Sequence, residues 1–95
     1  MKVLQKALNG LFIFEHTVFE DQRGFFYESF NKKIFDDSID SQTKFVQDNH
    51  SLSNTGVLRG LHYQTDPCSQ GKLVRVISGS VLDVAVDLRL SSPSF

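Results

Sequence analysis

The chain has 95 residues, 40% of them hydrophobic, which suits a single folded domain with a small core rather than a disordered segment. Ten basic and eleven acidic residues leave a net charge of -1, so nothing draws the whole molecule to nucleic acid or an anionic membrane, and an anionic ligand must be held by a local cluster. No apolar run approaches the length of a membrane span, which excludes a transmembrane helix.

The N-terminal MKVLQKALNGLFIF lacks the long apolar region and small-residue cleavage site of a secretory signal, and a cytoplasmic location is expected. LFIFEHTVF (11–19) reads as extended, followed by a turn over 20–24 and a second extended run, FFYESF (25–30). NKKIFDDSI is the one segment that predicts a short helix, with Asn31 as cap and Ile34 and Phe35 as its apolar side. KFVQDNHS, a turn at Ser53-Asn54-Thr55-Gly56 and VLRGLHYQ come next. In the loop TDPCSQG, the lone Cys68 fits a reducing compartment and reads as an incidental loop thiol. KLVRVISGSVLDVAVDLRL then predicts a hairpin turning at Ser78-Gly79-Ser80, with Gly79 at positive φ and Val74, Val76, Leu82, Val84, Val86 and Leu88 on one face. In that register Arg75 faces Asp83, and a surface ion pair of about 0.5 kcal/mol accounts for both. Nine Phe and no Trp, tight turns and little helix make the expected class all-β, a barrel or sandwich with one short helix. Its strand count is low for closure, and open edges invite further pairing.

GVLRGLHYQ (56–64) is unusual for a strand because Arg59, His62 and Gln64 interrupt its apolar residues, and hidden polar groups are costly unless paired. Arg59 and His62, three apart, lie on opposite faces of a regular strand, but a β-bulge at Gly60 would bring both to one side. Two readings stand: a solvent-facing Arg59 with a satisfied core histidine, or a cation and a base sharing one cavity. Gln47 and Asn49, two apart, offer amides to a sugar or base, and equally make a solvated face. Arg23 and Glu28 straddle Phe25 and Phe26, a combination able to hold phosphate and stack on a planar ring. The histidines are too far apart in sequence for the usual barrel metal site. No phosphate loop, nucleophile elbow or Cys-His pair is evident.

DQRGFFYESF, FVQDNHSLSNTGVLRGLHYQ, QGKLVRVISGSVLDVAVDLR and SSPSF, in that order, closely resemble the N-terminal half of the dTDP-4-dehydrorhamnose 3,5-epimerases. The resemblance implies a cupin-type jelly-roll barrel, incomplete in this chain, with residues 1–95 as the N-terminal portion of one cupin-like domain. It also implies a homodimeric, cofactor-free epimerase, without a metal, acting on dTDP-4-dehydro-6-deoxy-D-glucose. The C4 ketone of that sugar acidifies the C3 and C5 protons, so a base can remove each and an acid return it to the other face. By resemblance His62 is the base, Lys72 stabilises the enolate oxygen, and Arg59 binds substrate at its diphosphate. Gln47, Asp48 and Asn49 match a nucleotide-sugar contact segment; Arg23 and Glu28 match residues that reach the ligand from the dimer partner. Phe26 and Asp83 are supporting candidates, Asp83 with its Arg75 pairing as an equal competitor. Family members run well beyond SSPSF, and that part supplies the tyrosine acid, the aspartate paired with the histidine and the closing strands. Neither Tyr27 nor Tyr63 matches the acid. The rival expectations are a non-catalytic dTDP-sugar-binding or assembly fragment and a truncated chain without a stable fold.

Overall fold

The computed structural model describes residues 1–95, which divide into two compact units, 1–46 with 85–95 and 47–84. All regular structure lies in the first unit: β1 (Lys2–Ala7), β2 (Leu11–Glu15), β3 (Phe19–Asp21), β4 (Gly24–Phe26) and α1 (Lys32–Ile39). The strands pair as two antiparallel hairpins, β1 with β2 and β3 with β4, and neither closes into a barrel. The observed class is thus strands with one short helix.

Strand β1 has no counterpart among the expected elements, because Lys2, Gln5 and Lys6 dilute its apolar pattern. Its local signal is Asn9-Gly10: the turn between Ala7 and Leu11 needs a residue at φ +93°, and Gly10 supplies it. The side chains then match across the ladder. Lys2 meets Glu15 at 3.1 Å, and the Lys6 ammonium lies 5.4 Å from the ring centre of Phe12, its direct partner. The register shifts between Val3 and Gln5, so Leu4 is a bulge residue and is exposed.

Hairpin β3–β4 covers the expected turn and the start of the expected second run. The Asp21 carboxylate shapes it, accepting the Arg23 backbone N–H at 2.8 Å in an Asx-turn. Helix α1 begins where expected: Asn31 Oδ1 accepts the Ile34 N–H at 3.2 Å, the N-cap bond. It ends at Asp40, a left-handed residue whose N–H bonds the Asp36 carbonyl.

The core of this unit is aromatic. Phe35, 7% exposed, sits within 5.2 to 5.6 Å of the rings of Phe14, Phe30 and Phe45, so β2, α1 and the segments flanking the helix meet at one side chain. Tilted rings at these separations add favourable quadrupole contacts to area burial.

The second unit carries turns but no ladder. The Val57 N–H bonds the Asn54 carbonyl at 3.3 Å, closing the expected turn, and the Cys68 N–H bonds the Thr65 carbonyl at 2.8 Å. Gly79 has the expected positive φ, +82°. The flanking stretches nevertheless form no strand, and the five ion pairs of the molecule do not include Arg75 with Asp83. The reason is the missing support for an apolar face. A two-stranded ribbon is marginal by itself, and here Val74, Leu82 and Val84 remain exposed, Leu82 at 92%. β1–β2, by contrast, rests on α1 through Phe14 and Phe35.

Candidate active site

The candidate residues divide between the two units. In the first, Arg23 stands at the tip of β3–β4 and Phe26 on β4, with Glu28 just beyond. Phe25 and Phe26 are 70% and 69% exposed, and they join Phe19 and Arg23 in lining a shallow open concavity on the hairpin. This is the juxtaposition of guanidinium and aromatic rings that phosphate and a planar base require. Arg23 is already engaged, because Nε donates to Asp21 at 3.1 Å and Nη2 to the same carboxylate. The Arg23 guanidinium holds the Asp21 carboxyl below its usual range. An anion at this tip therefore competes with Asp21. Glu28 accepts from Asn31 Nδ2 at 3.3 Å, so it braces the helix cap and makes no pair with Arg23.

In the second unit Gln47 and Asn49 come together as their spacing predicts, Gln47 Nε2 donating to Asn49 Oδ1 at 3.2 Å. One hydrogen bond joins the two amides, which leaves the Gln47 carbonyl oxygen and the Asn49 NH2 group for solvent or ligand. Asp48 lies between them and is exposed.

Arg59 turns back on its own chain, with Nε donating to Ser53 Oγ at 3.0 Å and Nη2 to the Leu52 carbonyl at 3.3 Å. Two donors of the guanidinium fork are thus tied to Leu52 and Ser53, where the chain enters the turn at 53–56, which orients the group while leaving further N–H groups for an oxyanion. Gly60 has φ +127°, a backbone state that side-chain-bearing residues rarely adopt. The expected bulge is not formed, because residues 57–64 belong to no ladder; what marks Gly60 is its φ. His62, Lys72 and Asp83 are exposed, and no hydrogen bond or ion pair links His62 to Arg59 or Lys72. The reading of His62 as a satisfied core histidine therefore does not describe this unit.

Three partners were not apparent from the sequence reading. Asp21, which holds Arg23, is detectable only as an Asx-turn pattern two residues away, and Ser53, which holds Arg59 from six residues away, has no local pattern that marks it. The third is a cluster around Asp87, whose carboxylate accepts from Arg89, Ser92 and Ser94. Its residues lie in VDLRLSSPS, where hairpin alternation accounts for Asp87 and Arg89 separately.

No helix of the molecule is long and apolar enough to cross a membrane. No solved structure matches the chain. Among curated proteins it is similar over its full length to the dTDP-4-dehydrorhamnose 3,5-epimerases of Shigella flexneri, at 57% identity, and Pseudomonas aeruginosa, at 54%, covering 52% of each. It is 49% identical to that of Methanothermobacter thermautotrophicus over 99% of this chain and 50% of the relative. The chain thus spans about half the length of the curated relatives it matches. The sequence model of the family described as dTDP-4-dehydrorhamnose 3,5-epimerase matches residues 5–95, and with that match and relatives 49% to 57% identical over nearly the whole chain, the chain belongs to that family.

Proposed function

We propose that this chain supplies the base-bearing part of a dTDP-4-dehydrorhamnose 3,5-epimerase, acting on dTDP-4-dehydro-6-deoxy-D-glucose to give dTDP-4-dehydro-L-rhamnose. The observation that carries the reading is the family match over residues 5–95. In the mechanism that follows, His62 removes the proton at C3 or C5 and Lys72 stabilises the enolate oxygen at C4. Arg59, steadied by Ser53, takes the diphosphate, while Gln47, Asp48 and Asn49 contact the nucleotide-sugar. Arg23 and Glu28 reach the ligand of a partner's site in a homodimer, and Phe26 and Asp83 support the site. The same reading makes residues 1–95 the N-terminal portion of one cupin-like jelly-roll domain in a cytoplasmic enzyme that uses no cofactor. By the same resemblance, the acid that returns the proton is a tyrosine in the part of the longer family members that this chain does not span.

The test is deuterium incorporation at C3 and C5 of the keto-sugar in heavy water. The 95-residue chain alone is expected to show little or no exchange. A chimera extended with the C-terminal half of the Pseudomonas aeruginosa relative is expected to exchange both positions, and His62→Ala to slow it by roughly 10²- to 10⁴-fold, the usual worth of a general base. Exchange in the chimera that survives His62→Ala would remove His62 from the mechanism. Rapid exchange by the 95-residue chain, abolished by His62→Ala, would show that no downstream acid is needed. Nucleotide-sugar binding without exchange in the chimera would instead indicate a binding module.

A further inference from the structure

The cluster around Asp87 has no part in the chemistry above, yet it is the most densely bonded group in the molecule. Asp87 is 9% exposed in a chain whose surrounding segment is largely open to solvent. Its Oδ1 accepts the Arg89 backbone N–H at 3.1 Å and Arg89 Nε at 2.8 Å. Its Oδ2 accepts Arg89 Nη2 at 2.9 Å, Ser94 Oγ at 2.6 Å and Ser92 Oγ. Backbone bonds from Ser92 N–H to the Arg89 carbonyl and from Phe95 N–H to the Ser92 carbonyl wind the chain around this carboxylate. A carboxylate can take about four such donors, so the group is saturated.

The fork of Arg89 does a second thing. Nη2, besides holding Asp87, donates to the backbone carbonyl of Asn9, eighty positions away, in the turn between β1 and β2. No other side-chain hydrogen bond spans more than seven positions. A turn carbonyl at a hairpin tip would otherwise face water, and here Arg89 Nη2 takes that place. Bidentate pairing fixes the plane of an arginine, which aims its remaining N–H bonds.

We propose that Asp87 and Arg89 form a latch that fastens the 87–95 segment to the β1–β2 turn, Asp87 acting as the positioning residue and Arg89 as the bolt. The latch is a conformational device independent of the epimerase reading: it sets the direction in which the chain runs past the N-terminal hairpin. Its two serine donors make it sensitive to whether the 92–94 turn is wound. With that turn open, Asp87 loses two of its partners and keeps only its bonds to Arg89, so the latch is loosened rather than released.

Nuclear magnetic resonance on the labelled 95-residue protein tests this. In the unaltered protein the Arg89 Nε–H is expected to exchange with solvent about tenfold or more slowly than that of Arg75, which makes no ion pair, because its hydrogen bond to the Asp87 carboxylate must open first. Asp87→Asn and Arg89→Lys are each expected to shift the Asn9 carbonyl ¹³C and Gly10 amide ¹⁵N resonances, with Ser92→Ala/Ser94→Ala shifting them less. Equal exchange at Arg89 and Arg75 in the unaltered protein overturns the latch. So do Asn9 and Gly10 resonances that stay in place while only residues 88–95 respond, because the cluster is then a local turn. Should Asp87→Asn fail to fold, Arg89→Lys and the exchange comparison decide.

Discussion

Asp36 and Asp87 are the enclosed carboxylates, and each is held ionised by a neighbour of opposite charge. The Lys32 ammonium, one helical turn before Asp36, keeps that carboxyl below its usual range, with a smaller contribution from the Thr43 N–H at 3.0 Å. Arg89, then Ser92 and Ser94, does the same for Asp87, and more strongly. In the unfolded chain both return to ordinary values near 3.9, so in acid the unfolded state binds more protons than the folded one. The stabilisation they give is complete well above pH 4 and is lost as the pH falls through the depressed folded values. Urea midpoints are therefore expected to be level between pH 6 and 8 and to fall below about pH 4. Asp36→Asn should lower the midpoint at neutral pH and reduce the acid slope, and an unchanged slope would remove Asp36 from the account. Of the candidate residues themselves, Arg23, Gln47, Asn49 and Arg59 are legible in the sequence as types. What Arg23 and Arg59 bond is not, because Asp21 and Ser53 are too common near turns to stand out.

At the scale of elements, the helix and its neighbours depend on one ring. Phe35 is the meeting point of Phe14, Phe30 and Phe45, and truncation removes every aromatic contact that fastens α1 to β2. Phe35→Ala is expected to cost about 3 to 5 kcal/mol, the range for a large core ring, and most of the helical circular dichroism with it. Phe25→Ala, an exposed ring on β4, should change stability far less, so a similar loss in both would mean that Phe35 is not the core. The helix is the best predicted element because its cap, length and apolar side are all local. Strand β1 is the poorest, because its amphipathic pattern is faint and its pairing with β2 supplies what its own residues lack.

For the molecule as a whole, the contrast between the two units predicts a contrast in protection. Amides of 47–84 have almost no backbone partners apart from the turn bonds at Val57 and Cys68, while β1–β2 and α1 are bonded throughout. Hydrogen exchange should finish across 47–84 while the amides of β1, β2 and α1 are still protected. Equal protection in both would show that residues 73–89 pair into the ribbon their alternation predicts. The apolar residues left open there, among them Leu52, Leu58 and Leu82, are those a further packed layer would cover.

By themselves, the residues of this chain determined its family, its strand-rich class, the helix with its Asn31 cap and the positive φ of Gly79. Each follows from local chemistry or from motifs carried in order along the sequence. Only the tertiary structure decided that Phe35 is the core, that β1 pairs with β2, that the 73–89 alternation stays unladdered, and that Arg89 reaches Asn9. Those outcomes depend on which surfaces find partners, and a pattern of period two states which face could be buried without stating what will bury it.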